Sequence, residues 1–350
     1  MTQGPGAVGG LLPGHEPTRD STNAQQQGIG KRAPSEAARD GSDGSLSGAS
    51  YRSRWGTVAH GTPGRAGDAG HHVLLDGKTG ETVRSPTVTP QLQRIAAQAA
   101  RDPNWVFTTL AHLMDEDFLR EAYRHTRKSG APGIDGVTAQ SYAEHLDETL
   151  HALSERLRSG RAQAAPVERA WIEKDDRGQR PMGKPAFEDK IVQRAVAMLL
   201  EAIYEQDFYD GAYGFRQGRS PHEALPELRQ RGMTEGRGWI VDADVSGYCD
   251  SIDRTRLREV LRQRGKDGRI LRLIGKWLRA GVMEGGALTQ PETGVVQGGV
   301  IAPVLANVCL PHVLDAWFER EVQPRMQGRC FLIRFADDCA PRRREGVPMT

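Results

Sequence analysis

Two stretches of this chain set carboxylates beside apolar runs. WIVDADV (239–245) holds Asp242 and Asp244, and LIRFADD (332–338) ends in Asp337 and Asp338. Residues two apart on a strand face the same way, so Asp242 and Asp244 would share a face. A carboxylate on the core face of a strand is costly unless it is paired or bound to a metal. Two such strands meeting would gather several carboxylates at one spot, and a hard divalent cation with oxygen ligands is the natural way to stabilise them. Two Mg2+ ions about 4 Å apart can activate a hydroxyl and stabilise a leaving pyrophosphate in an in-line displacement. Any one of these aspartates alone reads as an ordinary turn or cap residue. The two motifs together point to a metal site.

Strands must carry those carboxylates, and other elements must hold the strands. GWIVDADVSGYCDSID (238–253) opens as a buried strand, and CFLIRFADDC (330–339) reads as strand, tight turn and the start of a second strand. Helical spacing begins at about Pro90 with Leu92, Ile95 and Ala99, and continues through Leu110, Leu113, Phe118, Leu119 and Tyr123 until Gly130. Further amphipathic stretches run over 142–160, 188–207, 254–264, 269–282 and 300–321. VERAWIEKD (167–175) is strand-like and leads into a loop punctuated by Gly and Pro. The predicted class is α+β, with few strands separated by long helices.

Composition divides the chain. Residues 1–90 are rich in Gly, Ser, Pro, Gln and Asp, with Tyr51 and Trp55 as their only aromatics. Such a segment cannot bury enough apolar surface to offset its ordering entropy, which predicts a disordered extension. The net charge of +2 names no partner by itself. Arg-rich stretches at 124–128, 156–161, 227–231 and 254–264 hint at a polyanion, but acidic residues interleave with them. Cys249, Cys309, Cys330 and Cys339 show no paired spacing, which argues against a zinc site or disulfide framework and fits a reducing compartment. No run reaches membrane-spanning length, so the expectation is a soluble cytoplasmic protein with no membrane partner.

Seven blocks then carry a resemblance. APGIDGVT (131–138), RPMGKP (180–185), DKIVQRAVAMLLEAIYEQDF (189–208), YGFRQGRSPHEAL (213–225), VDADVSGYCDSID (241–253), VVQGGVIAPVLANVCL (295–310) and IRFADD (333–338) follow one another in order. Over about residues 90–340 the chain resembles the reverse transcriptases encoded by bacterial group II introns, the maturase class. The resemblance implies a right-hand polymerase with palm and fingers that copies an RNA template into DNA from a primer, using dNTPs and two Mg2+ ions. It implies group II intron RNA as a further partner. Asp244 matches the first catalytic aspartate, and Asp337 and Asp338 match the hairpin pair, with Asp338 more often supporting the ions than ligating them throughout. Lys174 and Arg180 match the basic pair that grips the incoming triphosphate, a point charge and a bidentate fork. Gln297 and Gly298 would lie along the nascent base pair, and Arg216 and Arg219 against the template backbone.

Two departures qualify the match. The family commonly has an aromatic residue five positions after Asp244 that screens the ribose 2′-hydroxyl. Here that residue is Cys249, preceded by Tyr248, which puts selectivity for dNTPs over NTPs in question. After FADD the sequence continues as CAPRRREGVPMT, with almost no apolar residues for a second strand. The expected organisation is a helical segment over 91–165, incomplete fingers and palm over 166–340, an aberrant tail over 341–350, and no thumb. The expected consequence is a poorly supported hairpin and weak or absent polymerase activity. An alternative is an RNA-binding, splicing-assisting module that uses the basic helices between 92 and 160 and does not polymerise.

Overall fold

The computed structural model describes residues 88–173, 178–234, 238–326 and 330–344. The sequence-predicted extension therefore falls outside the described residues except for 88–90, which open the first helix.

The chain begins with helices whose ends are set by side chains. α1 (Val88–Arg101) buries Val88, Ile95 and Ala99. α2 (Glu116–His125) starts at Asp115, whose carboxylate accepts from the Phe118 N–H and so satisfies one of the helix's orphan donors. The single helix expected over 142–160 is instead two. α3 (Ala139–Glu144) opens on a Thr138–Ser141 capping box, and α4 (Leu146–Arg158) follows after His145 leaves helical geometry at φ −126°, ψ 37°. β1 (Val167–Glu173) and β2 (Gln179–Lys184) form an antiparallel hairpin that leads to α5 (Phe187–Tyr204).

α5 lies at the heart of the largest apolar cluster among the described residues. Ile191, Ala195, Val196, Leu199 and Ile203 are fully enclosed, and α1, α2 and a later helix, α10 (Ala302–Leu310), pack around it. Each of the Ile, Val and Leu side chains among them contributes about 1.5–3 kcal/mol by leaving water. Between them come α6 (Pro221–Thr234), β3 (Gly238–Ile240), β4 (Ala243–Asp244), α7 (Tyr248–Ser251), α8 (Arg254–Arg264), α9 (Gly268–Arg279), β5 (Val282–Glu284) and β6 (Ala287–Thr289). β5 joins β1 in parallel and β6 completes a four-stranded sheet in the order β2-β1-β5-β6.

The stretch 300–321 does not stay α-helical. After α10 the chain widens into π-helical turns at Pro311–Asp315 and Phe318–Val322. Pro311 has no N–H to continue the i→i−4 ladder, so the backbone re-forms with longer rings.

A second sheet follows. β7 (Phe331–Phe335) and β8 (Asp338–Arg344) form a hairpin, and β8 pairs on its other side with β3 and β4. Two expectations change here. The 238–241 segment is not buried: Trp239 is 65% exposed and Ile240 51%, on a strand that, among the described residues, pairs only with β8. The hairpin is also better supported than its composition implied. Backbone pairing needs no apolar side chains, and β8 pairs on both edges through Arg342. The last tail residues, 345–350, lie outside the described residues.

Candidate active site

The second sheet brings the two acidic motifs together. Its register is constant from Gly238↔Arg344 to Asp244↔Asp338. Directly opposed residues of an antiparallel pair share a face with Cβ atoms about 4.5–5.5 Å apart, so Asp244 and Asp338 are neighbours. Asp337 sits in the two-residue turn, and its carbonyl accepts from the Val245 N–H at 3.4 Å. Asp242, two residues before Asp244, is exposed.

The turn is held from beneath. Ala336 adopts φ 58°, in the left-handed region that a side chain rarely enters, and such a residue persists only where its surroundings over-determine it. Three interactions do so. The Tyr213 N–H donates to the Arg334 carbonyl at 2.9 Å, and the Arg334 N–H to the Gly211 carbonyl at 2.9 Å. A Cβ on Gly214 would stand 2.2 Å from the Ala336 nitrogen, so only glycine lets this segment lie against the turn. Asn307 of α10 donates to the Gly214 carbonyl at 2.7 Å and anchors that segment in turn. Below the turn, the Arg334 side chain is wholly buried. Its Nε and Nη2 donate to the two Asp315 carboxylate oxygens, both at 2.8 Å, and its Nη1 reaches the Ala336 carbonyl at 3.5 Å. Sequence reading passed over this pair. Its signal was a charge in the middle of the apolar run CFLIRF, which burial makes tolerable only with a partner.

α7 places the next residues. The Tyr248 ring is buried and its hydroxyl donates to the Ala306 carbonyl at 3.0 Å, so Tyr248 is turned into the core. Cys249 stays half-buried. Burial pushes its thiol up to about 11, the Asp337 and Asp250 charges add to the rise, and the Arg180 guanidinium opposes it. That electrostatic neighbourhood joins Arg180, exposed on β2, to the aspartate turn. Gln297 donates from Nε2 to Asp250 at 3.4 Å, while the Gly183 N–H donates to the Gln297 carbonyl at 2.6 Å. Gly298 has φ +95°, and a Cβ there would meet the Gly183 carbonyl at 2.5 Å. The close approach that these glycines permit is thus to β2.

Asp244, Asp337, Asp338, Cys249, Arg180, Gln297 and Gly298 therefore gather around one region. Arg216 does not face it. Its guanidinium is buried, paired with Glu205 at 2.7 Å and bonded to the Tyr209 and Ala212 carbonyls. Arg219 lies over the Tyr213 ring and bonds the Asp210 carbonyl. Lys174 lies outside the described residues.

The donor set is of the hard-oxygen type that Mg2+ takes, an opposed carboxylate pair with a third at the turn. Among the described residues, however, no three His, Cys, Asp or Glu side chains are close enough together to enclose an ion. The backbone places Asp244 and Asp338 on one face, with Asp337 at the adjoining turn, without closing them into a cage. Nor, among these residues, is any helix long and apolar enough to cross a membrane.

The chain is also similar in sequence to known proteins. The reverse transcriptase (RNA-dependent DNA polymerase) family matches residues 172–340. Protein YkfC of Escherichia coli (strain K12) is 38% identical over 231 residues, covering 64% of this chain and 60% of that protein. The group II intron-encoded protein LtrA of Lactococcus lactis subsp. cremoris is 32% identical over 244 residues, 67% of this chain and 40% of LtrA. The nuclear intron maturase 1, mitochondrial, of Arabidopsis thaliana is 32% identical over 96 residues, 27% of this chain and 13% of that protein. The chain thus spans 60% or less of the length of these relatives. Through residues 172–340, these matches support a place in the family of group II intron-encoded reverse transcriptases and maturases.

Proposed function

We propose that the chain is an RNA-directed DNA polymerase that adds dNTPs to a primer on an RNA template, group II intron RNA being the RNA it serves. The observation that carries this reading is the register Asp244↔Asp338, which sets acidic motifs from two distant stretches side by side. Asp244, Asp337 and Asp338 would hold Mg2+, which when bound activates the primer hydroxyl and stabilises the departing pyrophosphate. Arg180 grips triphosphate oxygens from β2 with its planar fork, and Lys174 adds a point charge. Gln297, held by Asp250 and β2, borders the place of the new base pair. A template contact from the 213–225 block falls to Arg219, since the Arg216 guanidinium is committed inside the chain.

Primer extension on an RNA template with Mg2+ tests the reading. Extension by the wild-type chain that disappears in Asp244→Asn is the expected result. Binding of structured RNA with no extension, equally strong in Asp244→Asn, would assign the chain to RNA binding without polymerisation. Sugar selectivity follows from position 249. Tyr248 is turned inward with its hydroxyl engaged, so it does not replace a missing aromatic screen, and Cys249 leaves more room for a 2′-hydroxyl. Cys249→Phe should raise the preference for dNTPs over NTPs by about tenfold or more, roughly the 1.4 kcal/mol that a fitted pocket contact supplies.

A further inference from the structure

The arginines of this chain fall into two groups. On α2, on α4 and in the buried interior, several are neutralised. Arg120 pairs with Asp147, Arg124 with Glu121, Arg156 with Glu188, Arg158 with Glu155, and Arg216 with Glu205. On α8 and α9 the pattern reverses. Arg256 and Arg264 find carboxylates, but Arg258, Arg262, Lys266, Arg269 and Arg279 form no ion pair with a described residue. All five of these are exposed.

The unpaired charges are also gathered. Arg258 of α8 and Arg279 of α9 meet over the bare backbone of Gly275, where a Cβ would stand 3.7 Å from Arg258 Nη2 and 3.4 Å from Arg279 Nη2. Arg254, one helical turn before Arg258, fixes its guanidinium on the Gly294 and Thr293 carbonyls. Burial and then the Arg279 charge pull it below the usual guanidinium range. Like charges held together on two helices raise the energy of the free protein, and a polyanion crossing both helices would relieve it. Guanidinium forks match phosphate oxygens in pairs. Acidic residues are almost missing from this surface: within 254–279 they are Glu259, which faces Arg256, and Asp267, whose carboxylate caps α9 and is buried.

We propose that the α8–α9 hairpin is an RNA-backbone docking surface, with Arg258 and Arg279 at its centre and Arg254 beside them. It binds phosphates of the RNA strand and is separable from the aspartate site. The choice of RNA over other polyanions rests on the polymerase reading above. The chemistry is phosphate recognition without base readout, so sequence preference is not expected of it.

The test uses the full chain and a fluorescein-labelled RNA hairpin without primer, with affinity measured across a KCl series. In the double variant Arg258→Gln/Arg279→Gln the slope of log affinity against log salt should flatten by roughly 1.5, at about 0.7–0.9 for each phosphate no longer neutralised. Affinity at about 0.1 M salt should fall roughly tenfold or more. Arg120→Gln/Arg156→Gln, which removes arginines already paired, should leave the slope unchanged. A cooperative melt close to wild type shows that a variant is folded, and Arg258→Lys/Arg279→Lys should restore most of the slope in either case. An unchanged slope in the folded glutamine variant would overturn the proposal. So would equal affinity for duplex DNA of the same length, or competition by polyglutamate as effective as competition by RNA. Asp244→Asn should bind the hairpin as wild type does. Absent extension by wild type beside an intact slope effect would sink the polymerase reading and leave this surface standing.

Discussion

The helical layer around α5 and the sheet that carries the aspartates are held by different forces. α5 is enclosed by apolar side chains from α1, α2 and α10, and its stability is spread over many contacts. The aspartate sheet has short strands, an exposed edge at Trp239 and Ile240, and small satellite clusters such as Tyr213, Ala224, Phe331 and Ile333. Its hairpin depends on backbone pairing, on two close-packed glycines and on one buried ion pair. A charged carboxylate face cannot be enclosed by apolar groups, since burial without partners would disfavour its charged form. The fold answers by concentrating the support in a few specific interactions behind the turn. Distributed support tolerates damage, whereas concentrated support does not.

The ion pair is the sharpest place to break this contrast. Asp315→Ala should lower stability by about 3–5 kcal/mol, because it leaves the Arg334 guanidinium buried without its partner. A urea midpoint shift measures it. Asp315→Leu/Arg334→Met should recover most of that loss yet leave extension impaired, which would separate packing from placement of the turn. Recovery of both would show that the pair merely fills space.

Leu199→Ala in α5 should cost about 2–5 kcal/mol by the same measurement, with residual extension retained when the chain is assayed well below its melting temperature. Next comes acid. Burial would raise the Asp267 carboxyl, but N–H groups of Ala111, Leu110, Arg269 and Ile270 donate to it and together hold it below the usual carboxylate range. A carboxyl depressed in the folded state contributes stability that is present above its unfolded value. That contribution disappears as pH falls through the folded value. Melting temperature should therefore drop as pH falls below about 4, and drop less steeply in Asp267→Asn, which keeps an oxygen to cap α9 but has no carboxyl to protonate. The smallest change in stability is expected at the site itself. Asp244 is exposed, so Asp244→Asn should stay within about 0.5 kcal/mol of wild type while abolishing extension.

Much of this was legible along the chain, and the illegible parts have physical reasons. Ile191, Ala195, Leu199 and Ile203 mark α5 because helical periodicity is local information. Asp244, Asp337 and Asp338 were identifiable because carboxylates beside apolar runs break the composition of a strand. The π-helical turns after Pro311 and the break at His145 were hidden, since a small change in ring size leaves the apolar spacing nearly intact. Trp239 and Ile240 misled, because apolar composition reports what a strand would bury, not whether anything covers it.

What the sequence by itself determined is the order of the blocks, the helices and the identity of the carboxylates, all of them properties of residues near one another in the chain. Only tertiary structure decided that Asp244 faces Asp338, that Arg334 is locked to Asp315, that Tyr248 points inward, and that Arg258 and Arg279 meet over Gly275. Each of these joins residues separated by many positions. Which partner a charge or ring finds is set by how the elements pack, and packing is a property of the whole fold rather than of any one stretch.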